Sequence, residues 1–394
     1  PNYNHARFLG DAVRSVLEQT YRPIEIIVVD DGSTDNSGEV AAGFGDRIRY
    51  IYQTNAGLSA ARNTGLRAAK GSLIGVLDAD DMYEPNFVET LVAALQADPE
   101  ADGVYCGYQF VDETNNLLTQ IENRPVTSAD LYTALLDGNF FVPESIFLRR
   151  RVYDDVGFFD ESLRACEDWD VWLRAAKKYR IIHSPHILTR HRVLAGSMST
   201  DPLRMLTARL AVLKKHVGEE PASAGTSAAH RAYGRAYLGS CVEYLQYGHP
   251  DRAYECFQKM ANICPSLLLE VDTYYQLGCG DQPKGQMGDL ASLNVKRNSV
   301  PLLGMMDRLF TDRSTADEAK RLQRAARARM FHSLGLLAYG TREFDQSRRF
   351  FLRAVQNDPR LLTNAGLLSR WVKSLLGPRL FERLKNLRRA DSAG

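Results

Sequence analysis

The hydrophobic pattern of this chain changes character partway along. In the first half, short apolar runs alternate with amphipathic stretches. Phe8, Leu9, Ala12, Val13, Val16 and Leu17 recur at helical spacing and predict a helix just after Asn4. Residues 24–29 form a continuous run rich in Ile and Val, as expected of a strand buried on both faces. Further strands are predicted at 48–52, 73–77 and 103–111, and helices at 59–69 and 87–95. Repeated β-then-α units argue for an α/β fold with a mostly parallel sheet flanked by helices. Pro1 to Asn4 read as the end of a strand, so a first β-strand is expected upstream of Pro1.

From about Asp201 the strand signals vanish and helical ones dominate. Residues 219–227 are small and polar, as in a linker. Two later segments, 233–265 and 330–359, look alike: each pairs two helical stretches with small or aromatic residues at similar offsets and closes on a proline. They resemble degenerate tetratricopeptide units. An irregular helical bundle explains the pattern nearly as well. The expected organisation is a catalytic domain at 1–200, a linker or connecting helix at 201–228, and an α-helical domain at 229–394. Residues 367–387 form a basic amphipathic stretch broken by Pro378, read as two short helices. Such a stretch can pack on its own protein or lie on an anionic membrane surface.

Composition adds exclusions. Over 394 residues the net charge is only +1, so global charge predicts no nucleic-acid partner. No apolar run approaches the roughly 20 residues of a membrane-spanning helix. Cys106, Cys166, Cys241, Cys256, Cys264 and Cys279 are scattered and form no C-x-x-C pair. That argues against a zinc knuckle and for reduced thiols in a cytosolic protein.

The candidate chemistry lies at strand ends, where open α/β sheets bind ligands. Asp30-Asp31 follow one predicted strand and Asp78-Ala79-Asp80 another. Carboxylates converging on one edge repel unless a cation or donors offset the charge. Mg²⁺ and Mn²⁺ prefer oxygen ligands and leave room for phosphate, so a metal-bridged nucleotide diphosphate suits this edge. A single Asp at a strand end is more often a turn former or a cap.

Five blocks in order make the case specific. They are Pro1-Asn2-Tyr3-Asn4, Val28-Val29-Asp30-Asp31-Gly32-Ser33, Asn55-Ala56-Gly57-Leu58-Ser59-Ala60-Ala61-Arg62-Asn63, Leu77-Asp78-Ala79-Asp80-Asp81 and Glu167-Asp168-Trp169-Asp170. Over roughly the first 200 residues the chain thereby resembles family 2 glycosyltransferases. The resemblance implies a GT-A fold and inverting transfer from a nucleotide sugar, most often a UDP-sugar, with a divalent metal, Mn²⁺ or Mg²⁺. It places Pro1, Tyr3 and Asn4 against the base, and Asp31 on the uracil edge with Asp30 supporting it or reaching the ribose. Asn55, Arg62 and Asn63 help to hold the nucleotide. Asp78, with Ala79, faces the ribose or the metal, and Asp80 coordinates the metal. Asp168 matches the base that deprotonates the acceptor, with Glu167 orienting acceptor or base. The plainer reading is that both acids begin a helix, which a rigidly held base also permits.

Thr189-Arg190-His191-Arg192 and Gly196-Ser197-Met198-Ser199 resemble the flexible segment that closes over the diphosphate. His191 is there a candidate metal or phosphate contact, and Arg190 and Arg192 candidate phosphate partners. Residues 140–147, including Glu144, are expected on the acceptor side. The implied setting is bacterial cell-envelope or polysaccharide synthesis, cytoplasmic or peripheral at the inner face of the membrane, with a saccharide or lipid-linked acceptor. No G-x-G-x-x-G follows a strand, which argues against a dinucleotide oxidoreductase. No Gly-rich signature of a nucleotidyltransferase lies beside Asn4-His5-Ala6-Arg7. The rival of another class is a catalytically silent scaffold whose helical half binds a protein partner.

Overall fold

A computed structural model describes residues 1–375. The chain divides into two compact units between Glu219 and Glu220. The first carries strands β1 (Ile27–Asp30), β2 (Arg49–Tyr52), β3 (Leu73–Gly75), β4 (Met82–Tyr83), β5 (Gly103–Val111), β6 (Leu117–Glu122), β7 (Ile146–Arg149) and β8 (Ile181–Arg192). Its helices are α1 (Ala6–Leu17), α2 (Ser37–Ala42), α3 (Leu58–Ala68), α4 (Phe87–Ala97), α5 (Ser128–Leu136), α6 (Arg150–Val156), α7 (Glu167–Lys178) and α8 (Pro202–Val217).

Apolar spacing explains the packing. Helix α1 buries Phe8, Leu9, Ala12 and Val13, the face its sequence predicts. Helix α4 buries Phe87, Val88, Leu91 and Leu95 against Val104 and Cys106 of β5. Helix α7 begins with Glu167, Asp168 and Asp170 and ends with Lys177 and Lys178, the charge order that its dipole favours.

The layering is α/β as expected, but strand pairing is mixed rather than mostly parallel. Strands β1 and β2 pair in parallel, as do β5 and β8. The other pairings, β3–β7, β5–β7, β5–β6 and β4–β8, are antiparallel. The physical reason for the hairpin is local. Asp112 gathers Thr114 and Asn116 into a tight turn that sends β6 straight back along β5. The larger sheet runs β3-β7-β5-β8-β4, and β1-β2 form a separate sheet.

Between these two sheets lies a slot. The free edge of β1 meets only Asn2, which bridges Asp30 in parallel register. Asn2 N–H donates to Val29 O, and Asp31 N–H to Asn2 O, both at 2.8 Å. Beyond that bridge an apolar cavity of about 420 Å³ separates Val28 of β1 from Ile74 of β3, walled by Leu9, Val13, Leu66 and Val92.

The stretch 201–228 contains α8, which belongs to the first unit. Asp201 caps it by accepting the Leu203 and Arg204 N–H groups. Lys215 and His216 near its end both bond Asp170, whose side chain is fully buried.

The second unit is helical: α9 (Ala228–Gln246), α10 (Pro250–Ile263), α11 (Val271–Gly278), α12 (Val295–Thr311), α13 (Asp317–Arg321), α14 (Gln323–Gly340), α15 (Phe344–Asn357) and α16 (Ala365–Leu375). Two helix pairs in it, α9–α10 and α14–α15, share one local geometry at a constant offset. Each turn has a left-handed residue, Gly248 at φ 75° and Arg342 at φ 65°. In each the next N–H reaches back at 2.8 Å, His249 to Tyr244 O and Glu343 to Ala338 O. Both second helices run 14 residues and are followed by a proline-led 3-10 turn, Pro265–Leu269 and Pro359–Thr363.

No disulfide links any of the six cysteines, all of which lie among the described residues. No described helix is long and apolar enough to cross a membrane. Of the basic C-terminal stretch, α16 buries Leu367 and leaves Val372 and Leu375 exposed. The break expected at Pro378 and the helix after it lie outside the described residues.

The slot generates a stability prediction. A chain given a short Val/Ile-rich strand before Pro1 should melt several degrees above the chain that starts at Pro1. Each fully buried aliphatic side chain contributes about 1.5–3 kcal/mol, and about 2–4 °C accompany each kcal/mol at this domain size. Differential scanning calorimetry measures it; equal midpoints would show that the slot takes no strand.

Candidate active site

The acidic pair after β1 organises a loop. Asp31 Oδ1 accepts from Gln53 Nε2 at 2.7 Å and from Ala56 N–H at 2.9 Å, and Oδ2 accepts from Gly57 N–H at 2.8 Å. Asn55 Nδ2 donates to the Asp31 carbonyl. Asp30 accepts from Tyr50 Oη and Ser33 N–H. Gly32 makes this close approach possible: it sits at φ +78°, and a Cβ there would lie 2.8 Å from Asn55 N. Asp30, Asp31 and Asn55 therefore share one turn, with the two acids buried and Asn55 exposed. Asn4 Oδ1 closes its far side by accepting from Thr34 N–H at 2.7 Å. Tyr3 stands exposed beside it, and Pro1 lies at the mouth of the slot, in the field of Asp78 and Arg62.

Arg62, on α3, is the centre of the charged array. Its side chain is only 2% exposed. One guanidinium nitrogen donates to both oxygens of Asp78 at 2.7 and 2.8 Å, and the other donates to Glu167. Burial works against its charge, but Asp78 and Glu167 outweigh that and hold it protonated. In return Asp78 lies below the usual carboxylate range despite burial. Asn63 points elsewhere. Its amide spans Phe159 and Glu161, donating to both and accepting the Phe159 N–H, and so braces the segment before α7 against α3.

Asp168 stands one residue from Glu167 in the first turn of α7, after Cys166 in a left-handed conformation (φ 58°). Burial first, then Glu167, push its carboxyl up to about 6, against the pull of Arg62. A carboxylate of that affinity suits proton removal near neutral pH.

The D-x-D turn splits its residues between layers. Ala79 is buried with Leu9, Val13 and Val28, which leaves Asp78 and Asp80 on the other side. Burial, then Asp81 and Asp78, push Asp80 up to about 7, and no described Lys or Arg side chain pairs with it. His191 is drawn close by two buried acids: its Nδ1 lies 3.1 Å from Asp81 and 2.9 Å from Glu144. Burial opposes its charge, but these carboxylates raise it to about 10. Glu144 is itself pushed well up, by burial and then Asp81. Asp81, Glu144 and His191 together form a cluster with metal-ligand spacing.

Of the segment expected to be flexible, residues 189–192 are the end of β8, paired with β5 throughout and with β4 at Thr189 and Arg190, whereas Met198–Thr200 form a 3-10 turn beyond the strand. Alternation within that strand turns its side chains to different partners. Arg190 pairs with Glu84 at 2.6 Å. Arg192 is buried, donates to the Asp80, Asp112 and Glu113 carbonyls, and covers the Phe8 ring. Of the expected site residues the structure thus gathers Pro1, Arg62, Asp78, Asp80, Glu167, Asp168 and His191, with Asp30, Asp31, Asn4 and Asn55 in the adjoining turn. The guanidinium groups of Arg190 and Arg192 are committed elsewhere. Sequence reasoning missed Gln53, the His191-facing role of Asp81 and Glu144, and Asn139, which donates to Asp168 Oδ2 at 3.0 Å.

Residues 1–157 match a family model described as Glycosyl transferase family 2. The chain is 33% identical over 215 residues to an uncharacterized glycosyltransferase of Rickettsia prowazekii, covering 52% of this chain and 66% of that one. It is 44% identical over 119 residues to the glycosyltransferase GlyG of Streptococcus pneumoniae, covering 29% of this chain and 39% of that one. The chain therefore spans less than two thirds of either relative. Among solved structures it is similar to S. aureus TarS 1-349 in complex with UDP-GlcNAc, at 15% identity and TM-score 0.48, covering 88% and 90% of the two chains. Residues 1–157 of this chain are thus similar to family 2 glycosyltransferases.

Proposed function

We propose that the protein transfers a sugar from a nucleotide diphosphate donor, a UDP-sugar, to a hydroxyl of a saccharide or lipid-linked acceptor, with inversion. The observation that supports this best is the continuous charged array Asp78–Arg62–Glu167, with the half-buried Asp168 beside it. It joins a donor-side acidic turn to a carboxylate of raised proton affinity. In the reaction the acceptor oxygen forms a bond to the anomeric carbon while its proton passes to Asp168. The old bond to the diphosphate breaks, and its electron pair leaves with the diphosphate. Arg62 holds Glu167 and Asp78 in place, so Glu167 orients rather than abstracts. The loop organised by Asp30, Asp31, Asn4 and Asn55 is the proposed seat of the nucleoside, with Tyr3 exposed to stack on the base.

A divalent ion, Mn²⁺ or Mg²⁺, fits the donor set. The Asp80 carboxylate lies among other carboxylates and forms no ion pair with a described Lys or Arg, an arrangement that a hard dication stabilises. Asp80 would hold it, with His191 and Asp78 alongside. When bound, such an ion offsets charge on the departing diphosphate.

The two matching helix pairs of the second unit support a tetratricopeptide-like reading, with 229–394 as a separate helical domain for a protein partner. A setting in cell-envelope polysaccharide synthesis, with the enzyme cytoplasmic or peripheral at the inner face of the membrane, completes the proposal. The second reading, a silent scaffold, predicts that the acids are dispensable.

A panel of nucleotide sugars tests donor and metal together. UDP release should appear with one or two UDP-sugars in Mn²⁺ or Mg²⁺, vanish with chelator, and return when the ion is restored. Release unaffected by chelation would remove the metal from the proposal. Asp168→Asn and Asp80→Ala should each lower turnover by about 10²–10⁴-fold while the far-ultraviolet circular dichroism stays unchanged. Wild-type rates from both variants would favour the scaffold. The base must be ionised to act, so kcat should fall as the pH drops through about 6. A profile flat well below that point would exclude Asp168 as the base.

A further inference from the structure

The Asp168 carboxylate is held at both oxygens. Oδ1 accepts the N–H of Trp169 at 2.7 Å, and Oδ2 accepts from Asn139 Nδ2 at 3.0 Å. Asn139 lies between α5 and the 3-10 turn Pro143–Ser145. The other end of its amide is also fixed, because Oδ1 accepts the Phe141 N–H at 3.1 Å. An oxygen committed to a donor leaves only the NH₂ end to face Asp168, so the amide has one productive orientation.

The loop that carries Asn139 is anchored on two sides. Trp169 Nε1 donates to Leu135 O at 2.8 Å, tying the end of α5 to the first turn of α7. Phe141 is buried, with its ring centroid 4.4 Å from that of Tyr105 on β5. Asn139 itself is exposed and fills no core. An exposed amide secured at both ends against a half-buried carboxylate is placed for function rather than packing.

We propose that Asn139 is a positioning residue: its amide fixes the rotation of the Asp168 carboxylate and leaves the unused lone pairs to the acceptor hydroxyl. The proposal rests on the reading of Asp168 as the base. The groups facing Asp168 are Glu167 on its own helix, Arg62 from α3, Tyr108 from β5, the Trp169 N–H and Asn139. Burial and Glu167 favour its neutral form, and the Asn139 donor favours the charged one. Loss of that donor raises the proton affinity of Asp168, and the active form then persists over a narrower pH range.

The test uses the full chain and UDP release from the panel sugars, with water as acceptor. Asn139→Ala should lower kcat about tenfold and move the acid limb of the profile up by about one pH unit, with donor KM unchanged. Asn139→Asp has nearly the same shape but places a like charge beside the base, so it should move the limb further. A packing role would leave Asn139→Asp close to wild type. Carboxyl-¹³C NMR titration of Asp168 in the same variants gives the shift without turnover. An unmoved limb and an unmoved titration in Asn139→Ala would overturn the proposal. Asp168→Asn separates the two levels. If it abolishes UDP release while Asn139→Ala changes nothing, only the positioning role falls. If it leaves release intact, the assignment of the base falls.

Discussion

A buried guanidinium between two carboxylates is the constraint on which the rest of this site depends. Arg62 cannot shed its charge, and Asp78 and Glu167 give that charge its partners in a place water barely reaches. A buried pair of this kind seldom adds much net stability, but removing one member strands the others. Its effect is positional. Asp78 comes from the turn after β3, Glu167 from the start of α7, and Arg62 from α3, so three elements distant in sequence meet at one side chain. Asn63, next along α3, braces the segment preceding α7 through Phe159. Neighbouring residues on one helix thus fix both the turn after β3 and the start of α7.

The acids of the site differ in how many donors reach them and in how much like charge lies beside them. Asp30, Asp31 and Asp78 are saturated by backbone, amide or guanidinium donors. Asp80 and Asp168 keep raised proton affinities, at about 7 and about 6. Environment rather than residue type separates structural from chemical carboxylates here.

Much of this was legible in the sequence. The helical spacing after Asn4 and the strand at 103–111 appear where periodicity places them, and the Ile/Val run yields a strand that starts three residues later, at Ile27, because burial on both faces or on one leaves a distinct pattern. The ordered acidic blocks marked the residues that converge. Periodicity could not supply strand direction, which turns such as that at Asp112 decide, so the sheet proved mixed. Nor could it show that Arg190 and Arg192 are spent on Glu84 and on main-chain carbonyls, since a basic residue reads the same whichever partner it finds. Asn139 carried no signal at all: a lone Asn after Gly138 looks like any loop residue until the fold sets it against Asp168.

The tie between Asp170 and α8 bears on where the first unit can be divided. Asp170 is fully buried on α7, and Arg174, Lys215 and His216 all reach its carboxylate. Two of those three partners belong to α8, which follows the last strand. Removing them would leave a buried charge short of partners, and breaking a buried pair costs about 3–5 kcal/mol. A cut between β8 and α8 would therefore fall inside one cooperative fold rather than between two.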